Sequence, residues 1–170
     1  FDARADLTLE RVRGRRATDR LFHSASHAGD FSLIWHVIGI VHGVAVRDLW
    51  ATVAFSALIG AESLVLNQGI KRLFRRERPT THGDPRYPVR RPSTSSFPSG
   101  HASAAAFAAT LLTVWSGVAW APLWIAIAVV VGFSRAFVRI HFLSDVIAGA
   151  IVGLALAGVA LAAGAADLLV

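Results

Sequence analysis

Residues 102–134 read ASAAAFAATLLTVWSGVAWAPLWIAIAVVVGFS, 33 consecutive positions without Asp, Glu, Lys or Arg. About 20 apolar residues cross the hydrocarbon core of a bilayer, so this run is too long for one span. Gly117 and the Ala121-Pro122 pair interrupt it, which predicts two helices joined by a tight turn, over 101–120 and 122–138. Downstream, 146–166 is also uncharged, and Gly149, Gly153 and Ala157 recur there every four positions. Such a stripe lets helices approach closely in lipid and would permit a homodimer. Upstream, 31–46 and 49–70 are largely apolar and separated by Arg47-Asp48, which predicts a helical hairpin. The expected fold is all-α, an integral membrane helical bundle of about five transmembrane helices.

Composition agrees. Of 170 residues, 54% are hydrophobic and 16% charged, which excludes disorder and leaves a soluble bundle too little polar cover. The absence of cysteine excludes a disulfide framework and thiolate sites. The net charge of +6 calls for an anionic partner. Residues 2–28 hold six Arg interleaved with Leu7, Leu9, Val12, Leu21 and Phe22, which predicts an N-terminal amphipathic surface helix. The chain accordingly divides into an interfacial helix, 1–30, and a transmembrane domain, 31–170. No signal-peptide pattern opens it. Five prolines within 79–98 mark an irregular loop.

With five spans, sixteen of the seventeen Lys and Arg residues fall on one face, which is expected to be cytoplasmic. Trp115, Trp120 and Trp124 cluster towards the other face, where an aromatic belt belongs. Glu62, inside a span, is costly unless partnered, and is expected to hydrogen-bond another helix rather than the substrate. His23 and His27, four apart, read as a surface pair rather than a metal site.

Three polar clusters meet at the basic face. The first runs from Lys71 to Arg78-Pro79, the second is Phe97-Pro98-Ser99-Gly100-His101, and the third runs from Ser134-Arg135 through His141 to Asp145. Arg78 and Arg135 each offer paired N–H donors to phosphate oxygens, and Lys71 a compact positive charge. Ser99 and the Gly100 and His101 amides precede or open a helix, whose first N–H groups lack intrahelical partners and favour anions. His141 and Asp145 lie four apart, so the carboxylate can fix the imidazole tautomer and make His141 the better nucleophile. His101, beside the phosphate-binding turn, is placed to carry a proton to the leaving oxygen. Arg139, four residues after Arg135, is a candidate substrate contact. Arg72, Arg75, Arg76, Arg90 and Arg91 are expected to contact headgroups.

Together, Lys71-x6-Arg78-Pro79, Pro98-Ser99-Gly100-His101 and Ser134-Arg135-x5-His141-x3-Asp145 resemble, in order, the three signature motifs of the type 2 phosphatidic acid phosphatase family. The resemblance implies a metal-independent, cofactor-free hydrolase acting through a phosphohistidine. Lys71, Arg78, Ser99, Gly100 and Arg135 would bind phosphate, with His101 the general acid, His141 the nucleophile and Asp145 its orienting carboxylate. One departure is Phe142-Leu143-Ser144 where many members have a proline. The implied partner is a phosphorylated lipid in the bilayer, not nucleic acid, and the implied location is a bacterial plasma membrane.

The small size, sixteen Arg to one Lys and the Ala-rich helices are similar to compact actinobacterial members, so decaprenylphosphoryl-5-phosphoribose is the first expected substrate. Undecaprenyl or decaprenyl diphosphate, phosphatidic acid and phosphatidylglycerol phosphate are the alternatives. Two other readings are a vanadate-holding haloperoxidase relative and a non-enzymatic protein that docks anionic lipid.

Overall fold

The structure, a computed structural model, describes residues 1–80, 84–90 and 93–170. Seven α-helices make up its frame: α1 (Asp2–Glu10), α2 (Arg16–Ala28), α3 (Leu33–Val46), α4 (Leu49–Leu64), α5 (Gly100–Ser116), α6 (Ala121–Phe137) and α7 (Leu143–Ala162). No strand occurs among the described residues. His82 and Arg91 lie outside them.

Local chemistry sets the boundaries. Asp48 caps α4, its carboxylate accepting the Ala51 N–H at 2.8 Å. Gly117, at φ +93°, ends α5, and Pro122 sits in the first turn of α6, as the break in the uncharged run predicts. Beyond Leu64, α4 continues through a π turn, Val65–Gly69, and a 3-10 turn, Ile70–Leu73, into one 25-residue apolar element.

Three helical elements are long and apolar enough to cross a membrane, Leu49–Leu73, Val118–Phe137 and Leu143–Ala162. A fourth is obtained if α2 and Asp30–Val46, bent by 68°, count as one span. The expected five are therefore not reached by length and composition. α3 has 14 residues and α5 has 17, short of the roughly 20 that span alone.

α5 is central, with Ala105, Ala108, Leu111 and Leu112 at most 1% exposed. α6 and α7 pack on either side, while Phe55 and Ile59 of α4 close the remaining flank. Outward faces such as Val41 and Val44 of α3 or Ile151 and Val159 of α7 are bare, as lipid-facing residues should be.

The glycine stripe faces inward. A Cβ at Gly149 would collide with the Ser99 carbonyl oxygen, and one at Gly153 with the Ser103 carbonyl oxygen. The stripe thus brings α7 onto the backbone of α5 within one chain, rather than presenting a face to a second copy.

The N-terminal segment is two helices, broken at Gly14, rather than one. Phe22 of α2 packs on Phe133 and Phe137 of α6, with ring centroids 5.5 and 4.6 Å apart. Arg13, 6% exposed, donates to the Phe137 and Ala136 carbonyls at 2.8 and 3.0 Å, closing the C-terminus of α6. Gly153→Ala should lower the thermal midpoint in detergent, by about 1–3 kcal/mol of overpacking. Gly158→Ala, with nothing within 4 Å of the added carbon, should leave it unchanged or raise it.

Candidate active site

The motifs converge at one end of the bundle. Ser99 N–H donates to the Asp145 carbonyl at 2.9 Å, tying the start of α5 to the start of α7. The Ile140 and His141 N–H groups both donate to the Arg135 carbonyl at 3.1 Å, so the turn after α6 delivers His141 beside Arg135.

His141 is 3% exposed, and its tautomer can be read from its neighbours. Arg78 Nη1 lies 3.2 Å from Nε2, and a guanidinium only donates, so Nε2 presents its lone pair. Nδ1 then holds the proton, facing Ser96 Oγ at 3.3 Å and Asp145 Oδ2 at 3.5 Å. Ser96 Oγ in turn donates to Asp145 Oδ2 at 2.6 Å. The carboxylate therefore acts partly through a serine that the sequence reading had not singled out.

Asp145 is held from two further directions. Its Oδ2 accepts the Phe142 N–H at 2.9 Å, the reach-back half of a capping box. Its Oδ1 accepts Arg76 Nη1 at 2.6 Å, and Arg76 also meets Asp2 at 2.8 Å and lies 4.5 Å from the Phe142 ring centroid. Arg76 thus braces the site, which corrects its reading as a headgroup contact. Phe142, the first residue of the Phe142-Leu143-Ser144 segment, supplies the surface on which that guanidinium stacks.

His101 has a carboxylate of its own. Its Nε2 lies 3.2 Å from Asp30 Oδ1 and 3.1 Å from the Ser26 carbonyl, two acceptors that place a proton on that nitrogen. Phe31 and Ser32, at φ 54° and 59°, turn the chain between α2 and α3 and hold Asp30 in place.

Lys71, Gly100, His101, Arg135 and His141 line one cavity of about 280 Å³. A Cβ at Gly100 would sit 3.4 Å from Lys71 Nζ, so glycine keeps the cation close to the helix start. Arg135 is 0% exposed. Its Nη1 meets Ser26 Oγ, but Nε and Nη2 have no hydrogen-bond partner among the described residues, nor does the buried Ser99 Oγ. Buried N–H groups of a cation left in this state are costly unless an anion completes them.

The structure takes Arg139 elsewhere. Its guanidinium binds Asp6, with Nε at 3.2 Å and Nη2 at 2.5 Å, and lies 3.5 Å from Asp84; it lines a neighbouring cavity that meets the first at His141. The candidate substrate contact is instead a strut between α1, the loop and the turn after α6.

The sequence profile of the PAP2 superfamily matches residues 48–166. The chain belongs to the PAP2 superfamily. It is therefore a membrane phosphatase. It is 36% identical over 127 residues to a decaprenylphosphoryl-5-phosphoribose phosphatase of Mycolicibacterium smegmatis, covering 73% of this chain and 67% of the relative. A Mycobacterium tuberculosis protein of the same name is 32% identical over 131 residues, 75% of this chain and 70% of the relative. In fold, the chain is similar to a transmembrane PAP2-type phosphatidylglycerolphosphate phosphatase from Bacillus subtilis. That match has a TM-score of 0.70 and 24% identity, and covers 94% of this chain and 84% of that one.

Four residues of the site escaped sequence reasoning. Arg76 sits inside the first motif segment and Ser96 directly precedes the second, so a polar residue at a signature is the local signal for both. Ser26 and Asp30 are 75 and 71 positions from His101, and nothing local points to them.

Burial pushes the His141 imidazole below its usual 6.5, and Arg78, Arg135 and Lys71 add to this. The unfolded chain takes up a proton below about 6.5 that the folded site refuses, so stability should fall as pH drops through that value. One such proton contributes up to about 1.4 kcal/mol per pH unit. Glu10, held down to about 2 by hydrogen bonds from Arg86 and Arg13, and Asp84, held down to about 2 by Arg86, titrate in a lower window. Thermal denaturation in detergent between about pH 7 and 5 should show this slope, and His141→Gln should reduce it.

Proposed function

We propose that the cavity holds the phosphate of a membrane lipid and hydrolyses it through a phosphohistidine. The observation that carries the reading is Arg135, fully buried with Nε and Nη2 unpartnered among the described residues, in the cavity with Lys71 and the start of α5. Phosphate oxygens would complete Arg135, Ser99 Oγ, Lys71, Arg78 and the Gly100 amide at the positive end of the helix dipole. Charge spread over the equatorial oxygens in transfer is stabilised by the same donors.

His141 Nε2, with its proton held on Nδ1 towards Asp145 and Ser96, attacks phosphorus as the bond to the leaving oxygen breaks. His101 gives that oxygen its proton, with Asp30 as the carboxylate beside it. His101 then takes a proton from water, whose oxygen attacks phosphorus, breaks the N–P bond and releases inorganic phosphate. No metal is needed, since the cations of the chain supply the positive charge.

The preferred substrate is decaprenylphosphoryl-5-phosphoribose, supported by two relatives of that name at 36% and 32% identity. In this reading α3, with its bare outward face, and α5, shielded by the longer helices, also lie in the bilayer, which makes five membrane helices in a bacterial plasma membrane. The motif end then faces the cytoplasm, where sixteen of seventeen Lys and Arg residues gather.

Purified enzyme should release phosphate in the presence of EDTA, and His141→Ala should lose at least about 10³-fold in kcat, as removal of a nucleophile does. Brief exposure to labelled substrate should leave an acid-labile, base-stable phosphoryl group on the wild type only. Release that is unchanged in His141→Ala would refute the mechanism. The chain has no cysteine, so Ser93→Cys and Val118→Cys report orientation directly. In intact cells an impermeant maleimide should label position 118 and spare 93, and the reverse pattern would turn the protein over.

A further inference from the structure

One polar group on the cavity wall has no part in the chemistry above. Glu62 of α4 is 3% exposed and lines the same cavity as Lys71, His101 and Arg135. Its Oε1 accepts a hydrogen bond from Ser103 Oγ on α5, the interhelical bond expected of a carboxyl inside a span. Its Oε2 is buried and has no hydrogen-bond partner among the described residues. A strut between two helices requires one oxygen. The second is buried beside the cavity without a hydrogen bond among the described residues, a state that is expensive for a polar atom.

The position of that oxygen indicates what would meet it. Ser103 is one turn along α5 from Ser99, its N–H donating to the Ser99 carbonyl at 3.1 Å. Glu62 therefore lies one turn deeper than the phosphate-binding residues, on the side towards the bilayer interior. A lipid whose phosphate sits among Lys71, Ser99 and Arg135, and whose tail lies in the bilayer, must place the group bonded to that phosphate at this depth. The cavity, at about 280 Å³, approaches the roughly 300 Å³ at which sites for small organic ligands begin, so it is built for more than a phosphate. The π turn at Val65–Gly69 shifts the helix register there, so that Glu62, Leu66, Asn67 and Lys71 all reach the cavity.

We propose that Glu62 Oε2 accepts a hydrogen bond from a hydroxyl on the group esterified to the departing phosphate, making it a specificity residue for hydroxyl-bearing headgroups. A carboxylate only accepts, so it selects donors, and it repels a second phosphate at the same depth. The site then favours sugar or glycerol phosphates over polyprenyl diphosphates and phosphatidate. This inference rests on the phosphatase reading above.

The test compares kcat/KM on three substrates: a polyprenyl-phosphoryl sugar phosphate, phosphatidylglycerol phosphate and a polyprenyl diphosphate. Wild type should prefer at least one of the hydroxylated pair over the diphosphate by about 10- to 100-fold, the range of a hydrogen bond to a charged group. In Glu62→Ala that ratio should fall towards unity. Glu62→Gln keeps an acceptor for Ser103 and preserves the helix contact, so it should give an intermediate ratio even where the alanine variant does not fold. Whichever hydroxylated substrate loses its advantage identifies sugar or glycerol as the source. A wild-type ratio near unity, or a ratio unchanged in both variants, would overturn the proposal and leave Glu62 a structural strut. Failure of the wild type to release phosphate from all three would instead remove the phosphatase reading.

Discussion

The close approach of α7 to the backbone of α5 governs the rest of the molecule. Gly149 and Gly153 bring the two helices together against Ser99 and Ser103, where any side chain would collide. In lipid, without a hydrophobic force between helices, such contact relies on packing at short range, which only small residues allow. Because the Ser99 N–H bonds to the Asp145 carbonyl at the same junction, the turn before α5 and the histidine-bearing turn before α7 are aligned by the contact that holds the bundle together.

A second constraint is electrostatic. The basic excess divides between cations whose charge is met within the chain and cations facing the cavity. Arg13, Arg76, Arg86 and Arg139 are matched by Asp2, Asp6, Glu10, Asp84 and Asp145 in a network that links α1, the loop before α5 and the start of α7. Most of these acids belong to the first ten residues, so the N-terminal segment braces the back of the site. Arg135 and Lys71 are buried at the cavity instead, Arg135 with Asp30 3.9 Å from Nη1 and with Nε and Nη2 unpartnered among the described residues.

The histidines form two pairs of like design and different origin. His141 and Asp145 meet across one turn at the start of α7, helped by Ser96. His101 and Asp30 meet only because two left-handed residues reverse the chain ahead of α3. Each ring is steadied by a carboxylate, and both rings line the cavity together with Lys71 and Arg135.

Sequence by itself determined the helical class, the helix breaks at Gly117 and Arg47-Asp48, the three motifs and their gathering at one end. These rest on composition, on 3.6-residue periodicity and on spacings of four to seven residues, all of which are local. The partners of the motifs were hidden. Ser26 and Asp30 reach His101 and Arg135 from more than 70 positions away, Arg139 is drawn off by Asp6, and Gly149 and Gly153 face α5 instead of a second copy. Those outcomes depend on which helix packs against which. A chain rich in Arg and in small residues offers many equivalent local choices, and only packing in three dimensions selects among them.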